Sequence, residues 1–325
     1  EAHGKKIKLV KIFNPILKLS GKRSALINKV FGNLVYNKKM SDYNKLKYQI
    51  RTLDESIKLT ENKEEEMYNQ NEDMIIRDYL VSIITPAYNC SAYIEECIES
   101  VLNQTYQNWE MIIVNDKSTD HTQSIIERYV EKDKRIVLFN QEKNMGVAAA
   151  RNKALELSKG RFVAFLDSDD AWKPNKLERQ LDFMIKNNYG FTFTSYEIIS
   201  DKPEGKKKIF QVPQEINYNQ YLKNTIIGNL TVIMDKELLG DIQIEVGCLE
   251  DVLTWMKFLK QGHIAYGLNE NLASYRIVEN SVSSNKFKNA KRYFWCLREK
   301  QNLSLIKSIY CQIGYMFNAT KKRLI

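Results

Sequence analysis

The chain has 325 residues, 43% of them hydrophobic, enough for one large domain with additions or for two domains. No apolar run is long enough to cross a bilayer and no signal peptide is visible. The net charge of +9 is concentrated at the front, where residues 1–50 carry twelve Lys and Arg against Glu1 and Asp42. A basic segment of this kind meets nucleic acid, anionic lipid or an acidic polymer.

Taken in order, residues 1–77 read as a basic, helical appendage. Within it Tyr43, Leu46, Ile50, Leu53 and Ile57 recur with 3-4-3-4 spacing, the pattern of a short coiled coil or of a helix packed on its own domain. The polar stretch 61–71 reads as a linker. A strand is predicted over Tyr79–Thr85, stopped by Pro86, then a helix from Ser91 to about Asn103. Trp109–Asn115 is the second strand, and Ser118-Thr119-Asp120 can cap a helix running through Val130. A third strand over Arg135–Phe139, a helix over Gly146–Ser158 and a fourth strand over Arg161–Leu166 complete the alternation. Such alternation implies a largely parallel, doubly wound sheet whose ligands bind at the strand ends. Beyond residue 285 the chain reads as amphipathic helices. Leu303, Ile306, Tyr310, Ile313 and Phe317 form a helical stripe, followed by Lys321, Lys322 and Arg323. Five cysteines (Cys90, Cys97, Cys248, Cys296, Cys311) are widely spaced and form no zinc or redox motif, the pattern of a reducing cytoplasm.

Each of the first four strands ends in a polar motif. These are Thr85-Pro86-Ala87-Tyr88-Asn89, then Asn115-Asp116-Lys117-Ser118-Thr119-Asp120, then Gly146–Asn152 around Arg151, then Asp167-Ser168-Asp169-Asp170. The last is the most informative. A buried strand cannot hold three charges cheaply, so Asp167, Asp169 and Asp170 belong at its exit. Carboxylates grouped there suit a hard cation, Mg²⁺ or Mn²⁺, and through it a diphosphate. A polar turn capping the helix after Pro174 is the plainer reading of the same residues.

Together with Trp172-Lys173-Pro174-Asn175-Lys176-Leu177 and Leu249-Glu250-Asp251, these motifs resemble those of family 2 glycosyltransferases. The resemblance is closest to bacterial enzymes that build capsule, teichuronic acid and lipopolysaccharide, and it covers about residues 79–283. It implies a GT-A fold, a Rossmann-like, mostly parallel sheet flanked by helices, in a catalytic domain spanning 78–284. It further implies that Thr85–Asn89 pack around the nucleotide base and ribose. Asp116 would accept a hydrogen bond from uracil, and Arg151 would lie near the base or the phosphates. Asp167-Ser168-Asp169 would be the DxD motif, with Asp169 on the metal and Asp167 on the ribose or an aqua ligand. Asp170 would hold the loop or the donor sugar. Trp172 would floor the acceptor site or else pack internally. Asp251 would be the catalytic base of an inverting transfer, with Glu250 orienting the acceptor; acidic capping of a helix N-terminus is compatible with both. Arg276, in Tyr275-Arg276 before Ser281 and Ser283, would offset charge on the leaving diphosphate. Two positions depart from the family pattern. Val278 stands where many relatives have a His near the metal, and Lys117 stands where Gly is usual, implying an altered loop or an extra cation near the donor.

The implied activity is transfer of a sugar from a nucleotide-diphosphate sugar, UDP-linked by the Asp116 reading, to a hydroxyl of a growing surface glycan. A sugar nucleotidyltransferase is the alternative enzyme, but it needs a Gly- and Arg-rich loop after the first strand, and TPAYN is not one. A non-catalytic scaffold is the other alternative. Expected partners are the donor, a lipid-linked glycan acceptor and an anionic membrane surface, with self-association through 43–57. Nucleic acid is not expected, because no reading module accompanies the basic arm. The expected location is the inner face of the bacterial cytoplasmic membrane, reached through residues 1–40 with help from 303–325.

Overall fold

The computed structural model describes residues 79–324 apart from 201–207, 248 and 279–285. The appendage, the stripe over 43–57, the basic segment 1–40, Cys248, Ser281 and Ser283 therefore lie outside the described residues.

The strands β1 (Val81–Ala87), β2 (Trp109–Asn115), β3 (Ile136–Asn140) and β4 (Phe162–Phe165) alternate with helices α1 (Ile94–Leu102), α2 (Thr122–Lys132) and α3 (Val147–Leu157). Next come β5 (Ala171–Trp172), α4 (Lys176–Asn187), β6 (Phe191–Ser200), β7 (Lys208–Phe210) and β8 (Glu215–Ile216). After the short α5 (Tyr218–Tyr221) follow β9 (Ile233–Asp235), α6 (Lys236–Leu239), α7 (Glu250–Lys260) and β10 (Ala265–Ile277). The chain closes with α8 (Lys286–Trp295) and α9 (Leu305–Leu324).

One sheet runs in the order β3-β2-β1-β4-β9-β6-β10-β5, with β7 beside β6 and β8 beside β10. Strands β3, β2, β1 and β4 are parallel, as are β6 and β10, while β9 enters antiparallel to both its neighbours. Strand order reverses between β2 and β4 on either side of β1, the switch point at which such sheets open a crevice beyond the strand ends.

β1 and β2 are buried along their whole length, which explains their continuous apolar character. Successive β1 residues face opposite sides. Ile83 joins a core with Ile94, Ile98 and Val101 of α1 and Leu177 and Leu181 of α4. Ile84 joins a second core with Ala150 and Ala154 of α3 and Trp255 and Phe258 of α7. Trp255 packs edge-on to Phe165 at a ring separation of 5.4 Å. Tyr293, Leu297, Leu303 and Cys311 belong to the same second core, so the C-terminal helices are seated on the sheet domain.

Two of the predicted boundaries that shift have a local cause. β1 continues through Pro86 to Ala87, because β4 pairs only with Val81–Ile84 and asks for no N–H at position 86. α1 starts at Ile94 rather than Ser91, since Tyr93 leaves the helical backbone at φ −129°, while the Ser91 amide donates to the Asp120 carboxylate at 3.1 Å. Asp120 also accepts from the Thr122 amide at 3.0 Å, one residue ahead of the N-cap position of α2, which falls on His121. Burial opposes its ionisation, but these hydrogen bonds prevail and lower its pKa to about 2.

Candidate active site

The four strand-end motifs meet at one edge of the sheet, and hydrogen bonds lock them together. Asn89 takes a left-handed backbone at φ 46°. Its amide donates to Ser118 Oγ at 3.0 Å, and its side-chain oxygen accepts from the Thr119 amide at 2.8 Å. Ala87 accepts the Asp116 amide at 2.8 Å. The Thr85–Asn89 loop thus folds onto the Asp116–Asp120 loop, leaving Tyr88 51% exposed at the rim. Thr85 is fully buried, and among the described residues its hydroxyl has no hydrogen-bond partner.

Asp116 is also buried. Its two carboxylate oxygens accept the amides of Met145 and Gly146 at 2.7 and 2.8 Å. The residue expected to read the base therefore also positions the start of α3. Gly146 makes that turn at φ 86°, a conformation that glycine adopts without penalty. Lys117 takes φ 61°, the left-handed backbone natural to the glycine expected there, so the turn survives the substitution.

Arg151 is the hub. It projects from α3 and is only 5% exposed, with Nη2 on Asp167 Oδ1 at 2.5 Å and Nη1 on Glu250 Oε1 at 3.3 Å. Burial works against its charge, but Asp167, Asp251 and Glu250 outweigh that cost and raise its pKa. One buried guanidinium thus ties the exit of β4 to the first turn of α7, a geometry the planar fork suits. The ion pairs are interior ones rather than contacts on the helix surface.

Asp167 Oδ1 accepts a further bond, from Asn229 Nδ2 at 3.0 Å. Asp170 is almost fully buried and accepts the Arg276 amide at 2.9 Å, so it holds the loop against β10. Burial, followed by the charges of Asp167 and Asp169, pushes Asp170 well above the usual carboxylate range. Burial, followed by the Asp167 charge, also raises Asp169, to a lesser degree. Arg276 donates from Nε to the Asp169 carbonyl at 3.0 Å and pairs with Glu96 of α1. Its guanidinium also lies 5.1 Å from the centre of the Tyr93 ring. Ser168 hydrogen-bonds the buried Cys90 thiol.

A cation would relieve the Asp167–Asp169 repulsion, and the donor set is hard oxygen. Among the described residues no group of three His, Cys, Asp or Glu side chains forms a cage, and Val278 adds no ligand. One or two carboxylates fit an ion that takes its remaining ligands from phosphates and water. Asp169 would hold it, with Asp167 in support, since Asp167 Oδ1 already serves Arg151 and Asn229.

Glu250 and Asp251 open α7 behind Leu249, which has φ 62° and offers no side-chain cap. Asp251 is half-buried. Burial, then the neighbouring Glu250 charge, raises its pKa from 3.8 to about 6, with Arg151 pulling the other way. A carboxylate so poised is ionised at neutral pH yet basic enough to take a proton.

Trp172 is a correction. Its ring is 4% exposed, with Nε1 donating to Leu230 O at 2.8 Å and Lys176 Nζ 3.8 Å from the ring centre. No face is open to a sugar, so Trp172 packs the core. Asn229 and Glu96 escaped the sequence reading. Asn229 lies in a short 3-10 turn (Asn229–Thr231) with no motif around it, and Glu96 looks like any solvated residue of an amphipathic helix.

Comparison with known proteins bears on the family and the fold. Residues 82–254 match the family described as glycosyl transferase family 2. TuaG of Bacillus subtilis (strain 168), a glycosyltransferase ascribed to teichuronic acid biosynthesis, is 49% identical over 246 residues, covering 75% of this chain and 98% of that protein. The Escherichia coli UDP-Glc:alpha-D-GlcNAc-diphosphoundecaprenol beta-1,3-glucosyltransferase WfgD is 43% identical over 246 residues, 75% of this chain and 95% of its own length. Among solved structures, S. aureus TarS 1-349 with UDP-GlcNAc superposes with a TM-score of 0.55 at 23% identity, over 73% of this chain and 71% of that one. The Pyrobaculum calidifontis mannosyltransferase PcManGT with GDP-Man and Mn2+ gives 0.56 at 20% identity, over 74% and 70%. These last two likenesses are of fold, the GT-A arrangement. With this sheet order, these motifs and these matches, the chain belongs to glycosyl transferase family 2.

Proposed function

We propose that the protein is an inverting, metal-dependent transferase that moves a sugar from a UDP-sugar to a hydroxyl of a lipid-linked bacterial surface glycan. The observation that carries this reading is the Arg151 bridge. It makes the diphosphate-side carboxylates and the base-bearing helix one assembly, with Asp167 on one side and Glu250 on the other. The relatives' roles in teichuronic acid and on a diphosphoundecaprenol acceptor support the substrate class.

In this mechanism Thr85–Asn89 and Asp116 bind the nucleoside. Asp251 takes the acceptor hydroxyl proton as that oxygen bonds to the anomeric carbon. The bond from that carbon to the diphosphate breaks on the opposite face, and its electron pair leaves with UDP, so an α-linked donor gives a β-linked product. Glu250 orients the acceptor, and Arg276 supports the loop around Asp169 and offsets charge on the departing group. Asp169, with Asp167 in support, would hold a divalent cation, whose chemistry there would be charge neutralisation on that diphosphate. Among the described residues no helix is long and apolar enough to cross a membrane, and the reading is of a peripheral protein at the inner face of the cytoplasmic membrane. A sugar nucleotidyltransferase has no support in the loop after β1, which is closed by Asn89 rather than built of Gly and Arg.

Calorimetry with UDP, GDP and CDP, with Mn²⁺ and with chelator, tests the donor side. UDP binding that needs the metal and is lost in Asp169→Ala is the expected result. No nucleotide binding under any condition would return the chain to the scaffold alternative.

A further inference from the structure

Among the described residues, α9 presents an apolar face that no other element covers. Ser308, Cys311, Tyr315 and Asn318 point inward: Ser308 and Cys311 are buried, Tyr315 stacks on Tyr293 at 4.3 Å, and Asn318 donates to Lys223 O at 2.9 Å. At 100° per residue, Ile306, Ile309, Tyr310, Ile313, Met316 and Phe317 lie on the opposite side. All six are exposed, from 46% at Ile309 to 82% at Ile306. The stripe predicted from the sequence therefore divides: Leu303 enters the core, while Ile306, Tyr310, Ile313 and Phe317 face outward. A contiguous apolar face of this size on a protein surface marks a docking site.

Charge identifies the occupant. α9 contains no acidic residue and carries Lys307, Lys321, Lys322 and Arg323. Residues 286–324 together hold ten basic residues against the single acid Glu299. Gly314 lets the Lys223 stem lie across the helix, since a Cβ there would meet Lys223 Cβ at 2.9 Å. Lys223 Nζ then sits 5.5 Å from the centre of the exposed Tyr310 ring, adding a cation at the edge of the stripe. A second copy of this helix would meet its own positive charge. The chain's first fifty residues are basic too, so charge disfavours them as a cover.

We infer that α9 lies in the plane of an anionic lipid surface, its apolar stripe buried among the acyl chains and its lysines among the headgroups. An amphipathic helix with a basic polar side and Leu, Ile, Phe and Tyr on the other binds in this manner. It does not cross the bilayer. This inference deepens the reading of a lipid-linked acceptor, because it would hold the protein at the surface where such an acceptor resides.

The test uses the full chain with vesicles of phosphatidylglycerol in phosphatidylcholine and with phosphatidylcholine alone. Cosedimentation is measured for wild type and for the double variant Ile313→Asp with Phe317→Asp. A fluorophore attached at Ile313→Cys reports insertion. The expected result is binding to the anionic vesicles, weakened at least tenfold in the double variant, with a blue shift of the probe on those vesicles alone. UDP binding stays unchanged in the variant, which separates this test from that of the transferase reading. Equal binding of variant and wild type, or a probe that remains in water on bound vesicles, overturns the inference. So does a dimer in the absence of lipid that the double variant abolishes, since the face would then belong to a second copy.

Discussion

Asp251→Asn should make the protein more stable and nearly inactive. The folded-state pKa of Asp251 is about 6 against 3.8 for the free group, so folding disfavours its charge by about two units. At 1.36 kcal/mol per unit, the ionised side chain costs the fold about 3 kcal/mol at pH 7. Asparagine keeps the shape and removes that cost. For a domain of this size the gain corresponds to a rise of about 6–12 °C in the melting temperature. The sign fixes the pH dependence. The folded pKa lies above the unfolded one, so the penalty is full above about pH 6 and vanishes as pH falls through 3.8. The stabilisation in the variant should therefore shrink to less than about 1 kcal/mol at pH 4. Calorimetric melts of wild type and variant at pH 7 and pH 4 measure this. Rates should move the other way, with transfer falling by about 10²–10⁴-fold on loss of the base. Wild-type kcat/KM should drop about tenfold per unit below pH 6, and that limb should be absent in the variant. Equal melting at pH 7, or a gain that persists at pH 4, would show that Asp251 is not a strained carboxylate and would refute the reasoning.

Arg151→Met leaves Asp167 and Glu250 facing each other without their cation, and should cost about 3 kcal/mol of stability. Because Arg151 favours ionised Asp251, its removal should also shift the acid limb of the rate profile upward; a melt and a limb that both match wild type would count against the hub. Lys117→Gly relieves a left-handed backbone and should raise stability by about 0.5–1 kcal/mol after the added chain entropy. If Lys117 supplies a cation to the donor, UDP binding in the same variant should weaken, most clearly at low salt.

Much of the site was legible because strand ends and motifs are local. A buried strand such as Phe162–Phe165 is recognisable by its apolar run, and its exit by the charges that the run cannot hold. Asp167, Asp169 and Asp170, Asp116, and the Thr85–Asn89 loop were therefore placed at the sheet edge from residue order alone, whereas the family resemblance put the Glu250-Asp251 pair at a helix start. What each side chain does there was not legible. Arg151 and Glu250 are 99 positions apart and meet only because α3 and α7 cover the same face of the sheet. Asn229 joins Asp167 across 62 residues from a turn without a motif. Trp172 looks the same in sequence whether its ring faces a sugar or, as here, a lysine nitrogen in the core. The helical period of Leu303–Phe317 shows that one side is apolar, but not whether the domain covers it. The sequence by itself determined which chemistry reaches the crevice, since hydrophobic period and charge are properties of neighbouring residues. Only the tertiary structure decided which groups share a proton, a charge or a face, because those pairings depend on distances between segments far apart in the chain.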